Sequence, residues 1–183
     1  MNATFSLTLG ILMMIVSVGI GCRPPEPYRL VWSEEFKGEV LHSDRWNIET
    51  GGDGWGNREL QFYTENGNLS LENDCLVITA KKNKSGPHRY TSARINTRNK
   101  FAVQYGKIEA RIKLPYGKGL WPAFWMLGSS FQQVGHPLCG EIDILEMIGG
   151  EDASKGFSDS VIWGSLHWVD RRRNQKSLTA KHA

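Results

Sequence analysis

The sequence predicts an all-β fold, a jelly-roll β-sandwich, and three observations carry that reading. Tyr105–Leu114 (YGKIEARIKL) alternates apolar and polar residues for ten positions, which is the period of a strand buried on one face. Short apolar or β-branched runs recur along the chain, each cut off by Gly, Asn, Asp or Pro. No stretch carries a helical period with caps at its ends.

The elements follow in order. Leu30–Phe36 (LVWSEEF) is the first expected strand. Gly51–Asn57 (GGDGWGN) is a Gly-rich loop, and its lack of a phosphate-loop Lys with Ser or Thr argues against nucleotide binding. Leu60–Tyr63 and Leu69–Leu71 are short extended pieces, and Leu76–Ala80 (LVITA) is a β-rich run ahead of the turn Lys84-Ser85-Gly86-Pro87. Ser92–Thr97 alternates, with Ala93, Ile95 and Thr97 opposite Arg94 and Asn96. In Tyr105–Leu114, Ile108, Ala110, Ile112 and Leu114 point one way, and Lys107, Glu109, Arg111 and Lys113 the other. Ala123–Leu127, Glu141–Ile148 and Ile162–Trp168 are the last expected strands, and residues 170–183 read as a basic loop.

With 183 residues, 40% of them hydrophobic, the chain can build one core and is too short for two. The net charge of +3 is unevenly spread. Residues 170–183 carry +4, which leaves −1 for the rest. Lys81–Lys118 holds eleven Lys or Arg against Glu109 alone. Interleaved with apolar residues, these charges fit the solvated face of strands better than a phosphate-binding stripe, so no nucleic-acid partner is expected.

Residues 2–21 contain no charge, end in small residues and precede Cys22-Arg23-Pro24-Pro25. This reads as a secretory signal, with Gly21-Cys22 resembling a bacterial lipoprotein junction lipidated at Cys22; an uncleaved anchor is the alternative. Each version places the remainder outside the cytoplasm, secreted or on the cell envelope. Residues 22–27 are a Pro-rich linker, and 28–183 form the folded domain. With Cys22 lipidated or removed, Cys75 and Cys139 remain, either as one disulfide or as two buried thiols.

Gly140–Met147 (GEIDILEM) is the most informative run, with three carboxylates in six residues of an apolar strand. In a regular strand Glu141, Asp143 and residue 145 share a face, while Ile142 and Ile144 point into the core. Residue 145 is Leu, so Glu146 comes one position late. A β-bulge between Asp143 and Glu146 would return it to the carboxylate face. Like charges so close raise one another's pKa, leaving one group protonated and another ionised. That is the pairing needed for glycoside cleavage, and two acids on one strand face suit the short separation of retaining enzymes. A solvated edge or a cation site would use the same residues.

This strand resembles glycoside hydrolase family 16, especially its laminarinase-like endo-β-1,3-glucanases, whose bulged Glu-x-Asp-x-x-Glu signature is matched by Glu141, Asp143 and Glu146. LVWSEEF, GGDGWGNRELQFYT (Gly51–Thr64), YTSARINT (Tyr90–Thr97), YGKIEARIKLP and GLWPAFWML (Gly119–Leu127) are similar to family segments in the same order. The resemblance implies a jelly-roll with a cleft over its concave sheet, Glu141 as nucleophile, Glu146 as general acid/base and Asp143 as their tuning partner. It implies Asn57, Arg94, Trp121, Trp125 and His167 as substrate contacts. No cofactor is implied for catalysis, although family members often hold a structural Ca²⁺ away from the cleft. The implied substrate is a β-1,3- or mixed-linked glucan, met by a monomer. A non-catalytic carbohydrate-binding fragment, or a hydrolase of agarose or carrageenan, are the alternatives. Family catalytic domains extend further than this chain, so the domain is expected to be partial, with C-terminal strands missing.

Overall fold

The computed structural model describes residues 28–150 and 159–182; the signal segment, Cys22 and the linker lie outside them. Contacts divide the chain at Val31/Trp32, and the strands belong to the unit beginning at Trp32. Its elements are β1 (Asn47–Glu49), β2 (Gln61–Tyr63), β3 (Leu69–Leu71), β4 (Leu76–Ile78), β5 (Tyr90–Ser92), β6 (Arg94–Asn96), β7 (Ala123–Leu127), α1 (Phe131–Val134), β8 (Glu141–Glu146), β9 (Ile162–Val169) and β10 (Gln175–His182). The expected all-β class is observed, and α1 is a single turn.

Three two-stranded pairs, β1 with β6, β3 with β4 and β2 with β5, accompany one four-stranded antiparallel sheet of order β10-β9-β8-β7. The pairs are antiparallel except β2 with β5, which runs parallel. In the four-stranded sheet Leu127 lies opposite Glu141, Glu141 opposite His167, and His167 opposite Ser177. Between Asp143 and Glu146 the register slips. Asp143 pairs with Ser165 and Glu146 with Trp163, so Ile144 and Leu145 together face Gly164 alone. On the other side Leu145 pairs with Phe124 and Asp143 with Trp125, which leaves Ile144 as the extra residue. The expected bulge is therefore present.

Three strand expectations are corrected. Leu30–Phe36 forms no strand. From Trp32 onward it is held by side chains instead: Trp32 stacks on Phe101 at 5.1 Å and meets Trp46 edge-on, while Glu34 accepts from Arg45 and from the Trp46 indole. Tyr105–Leu114 also forms no strand, and its apolar side is open, with Ile112 43% exposed. Alternation specifies which face a strand would bury but not a partner, and no described segment lies alongside to complete the ladder. Conversely, the basic segment read as a loop pairs with β9 along eight residues as β10. Every residue of β10 is exposed, so its Lys side chains sit on an edge strand at little cost.

The second face of the sheet also departs from expectation. Ile142 was expected in the core but is exposed, as are its cross-strand neighbours Leu166 and Leu178. Cys75 is an exposed free thiol and Cys139 a half-buried one, so neither the disulfide nor a buried pair is observed.

The turn joining β7 to β8 sets where Glu141 begins. Gly128 N–H donates to the Gly140 carbonyl at 3.0 Å. A Cβ on Gly128 would stand 1.9 Å from the Cys139 carbonyl oxygen, a backbone atom that cannot swing aside. Gly128→Ala is therefore expected to destabilise the fold by about 2–4 kcal/mol. Urea unfolding measures this, and a change under about 0.5 kcal/mol would show the turn to be slack.

Candidate active site

The bulge places Glu141, Asp143 and Glu146 on one face of β8, together with Trp125 of β7 and Trp163, Ser165 and His167 of β9, their cross-strand partners. The three acids have different surroundings. The Asp143 side chain is 5% exposed, and its Oδ2 lies 3.1 Å from His167 Nε2. Glu141 shares a hydrogen bond with Asp143, and its Oε2 lies 3.3 Å from His136 Nε2. The rings of His136 and His167 are 6.1 Å apart, nearly edge to face. Glu146 stands at the other end of the row, where its Oε1 accepts from the Trp121 indole N–H at 3.0 Å.

Burial pushes all three carboxyls above their ordinary pKa, because a charged carboxylate loses hydration there. For Glu141, the His167 ring and the hydrogen bond with Asp143 oppose this, the charge of Glu146 adds to it, and Arg94 opposes it. For Asp143, the neighbouring Glu141 charge adds to burial and His167 opposes it. For Glu146, Asp143 raises the carboxyl further, while Trp121 and His167 lower it. The row thus combines mutual repulsion with cationic and hydrogen-bonding relief arriving from different sides.

Arg94, on β6, is held firmly. Its Nε donates to Glu49 Oε2 at 2.5 Å, and its guanidinium lies 4.7 Å from the Trp55 ring and 4.9 Å from the Trp125 ring. Trp55 in turn meets Tyr63 edge-on at 5.3 Å. The Gly51–Asn57 loop and β6 are thereby tied to the same sheet face as the acids. Trp121 precedes β7 rather than lying on it, yet its indole reaches the carboxylate side, as Trp125 does.

Of the residues expected from sequence, the structure brings together Glu141, Asp143, Glu146, Trp121, Trp125, Arg94 and His167. Asn57 lies exposed in the turn after Gly54, its backbone N–H donating to the Gly54 carbonyl, with no contact to the acids. His136, Trp55 and Glu49 went unread. His136 follows the short helix and precedes Glu141 by five residues. Its signal was a lone imidazole in the turn leading into the acid strand.

Among the described residues, the one cluster of metal-ligating side chains is Glu141, Asp143 and His167. A structural Ca²⁺ away from the cleft does not fit this set. Ca²⁺ takes six to eight oxygen ligands, and here an imidazole nitrogen supplies one of three donors within the acid row itself.

The electrostatics carry a stability consequence. A carboxyl whose folded pKa is raised is destabilising once ionised, so stability falls as pH rises through the folded value. Glu141→Gln is expected to raise the thermal midpoint at pH 7 by about 2–4 °C. The gain should shrink on acidification, as the wild-type carboxyl takes up its own proton. Calorimetry at a series of pH values checks this, and a lower midpoint at pH 7 would contradict it.

Known proteins resemble this chain along most of its length. The profile of Glycosyl hydrolases family 16 matches residues 56–178. The chain is 42% identical to a glucan endo-1,3-beta-glucosidase of Cryptopygus antarcticus, over 76% of itself and 50% of that protein. It is 38% identical to a beta-glucanase of Rhodothermus marinus, over 84% of itself and 56% of that protein. Its structure superposes on the laminarinase catalytic domain of Thermotoga maritima with a TM-score of 0.73 and 42% identity, covering 86% of this chain and 63% of that one. The chain therefore spans about half to two thirds of the length of these relatives, in the jelly-roll class that the sequence predicts. It belongs to family 16 of the glycosyl hydrolases.

Proposed function

We propose that the protein is a retaining endo-β-glucanase that cleaves β-1,3- or mixed β-1,3/1,4-linked glucan, with Glu141 as nucleophile and Glu146 as general acid/base. The observation that carries this reading is the division of one carboxylate row into two environments. At Glu141 the His167 ring, the hydrogen bond with Asp143 and Arg94 all oppose the rise that burial imposes, and His136 Nε2 stands 3.3 Å from its Oε2. Glu146 is raised by burial and by Asp143, which favours a proton ready for donation. The glucanase and laminarinase names of the relatives support the polymer class.

In this mechanism Glu141 attacks the anomeric carbon while Glu146 protonates the departing glycosidic oxygen. Glu146, now ionised, takes a proton from water, which displaces Glu141 and restores the original anomeric configuration. Asp143, hydrogen-bonded to Glu141 and facing His167, keeps the nucleophile oriented. Trp125 and the Arg94 guanidinium between the two indoles offer a flat, partly cationic wall suited to sugar rings and hydroxyls. Trp121 and His167 border the acids, and Asn57 would meet substrate from the loop. Export, with lipid attachment at Cys22, is inferred from the N-terminal sequence.

Reducing-sugar release from laminarin, mixed-linkage glucan, agarose and carrageenan tests the reading. Release is expected from the first two, and the first-formed product should have β configuration by proton NMR. Activity on none of them would refute a hydrolase. Activity confined to agarose or carrageenan would reassign the polymer, and an α product would exclude retention. Glu141→Gln is expected to lower kcat by about 10³-fold or more with ligand binding retained. Asp143→Asn removes the charge that raises Glu146, so the basic limb of the kcat/KM profile should move to lower pH.

A further inference from the structure

Trp121 is 46% exposed and lies outside any strand, yet its indole N–H is aimed at Glu146. With nearly half of it open to solvent, its aim depends on how the backbone on either side is held. That backbone is tied to the segment after β8 at four points. Gly119 N–H donates to the Gly149 carbonyl at 3.1 Å, Gly149 N–H to the Leu120 carbonyl at 2.7 Å, and Met147 N–H to the Pro122 carbonyl at 3.1 Å. The fourth tie is Asp159. One of its oxygens accepts from Gly117 N–H at 3.1 Å and the other from Gly150 N–H at 2.8 Å. A single carboxylate therefore bridges the loop before Trp121 and the segment after Glu146.

The approach is close. A Cβ on Gly149 would stand 2.1 Å from the Gly117 carbonyl oxygen and 3.2 Å from Asp159 Oδ1, so only glycine fits between them. Asp159 itself holds φ = +61°, in the left-handed region that few non-glycine residues enter.

We propose that Asp159 is a positioning residue for the Trp121–Glu146 hydrogen bond, its carboxylate fastening the Trp121 loop to the end of the strand that carries Glu146. This rests on the reading of Glu146 as acid/base. Because the indole donates to the ionised carboxylate, loosening the clamp removes a group that favours the charged form. The Glu146 proton is then released at higher pH.

The test follows the indole N–H of Trp121 by ¹⁵N–¹H NMR across pH, in the full chain, with the signal assigned by its loss in Trp121→Phe. In the parent protein the signal should titrate, and Glu146→Gln should abolish that titration. In Asp159→Asn and Asp159→Ala the pH-dependent shift should fall by half or more and its midpoint should rise. If the parent cleaves glucan, the basic limb of kcat/KM should rise with it. An unchanged indole titration in folded Asp159 variants would overturn the proposal. Failure of both variants to fold, judged by circular dichroism, would make Asp159 a folding residue and overturn it as well. If the parent cuts no glucan, the hydrolase reading fails by that assay, while the indole titration still decides the clamp.

Discussion

Three carboxylates can share one face of β8 only because the strand carries an extra residue between Asp143 and Glu146. Strand side chains alternate, so a regular EIDILE run would turn its last Glu away from the other two. The bulge absorbs Ile144 and returns Glu146 to the row while the flanking strands keep their ladders. Everything else at the site is arranged around that row: β7 and β9 supply Trp125 and His167 from register positions opposite Asp143 and Glu141, and the turn before β8 supplies His136.

Crowding acids costs stability, and the site relieves the cost unevenly. At the Glu141 end the relief comes from His167, the hydrogen bond with Asp143 and Arg94. At the Glu146 end it comes from the Trp121 indole and, after it, from His167. The two glutamates thus have different partners, which is what the proposed roles of attack and proton donation require of them. Arg94 does double duty. Its pair with Glu49 and its place between Trp55 and Trp125 join the Gly-rich loop, β6 and the acid-bearing sheet into one wall.

Much of this was legible in the sequence. β3 and β7 have the bounds that their composition predicts, and the late Glu146 announced the bulge. The acids singled out at GEIDILEM share one strand face, and Arg94, Trp121 and Trp125 from the neighbouring segments gather beside them. The failures share one physical cause: a pattern along one strand carries no information about its partner. Tyr105–Leu114 alternates well but has no described neighbour to bond with. Residues 170–183 look like a loop by charge, yet Gln175–His182 within them pairs because β9 offers an edge. His136 and Asp159 were unreadable for a related reason. Their importance lies in what they face, the Glu141 carboxylate and two glycine N–H groups, and not in their own sequence context.

The division of labour between the two glutamates can be tested by trapping. An activated 2-deoxy-2-fluoro β-glucan oligosaccharide slows breakdown of the glycosyl-enzyme, so the intermediate accumulates and can be located by peptide mass spectrometry. One sugar adduct per chain is expected, on Glu141 within the Gly140–Met147 peptide, and it should be lost in Glu141→Gln. An adduct on Glu146 would exchange the two roles. Turnover of the unfluorinated substrate with no adduct formed by the fluorinated one, and with inverted product, would contradict the covalent mechanism.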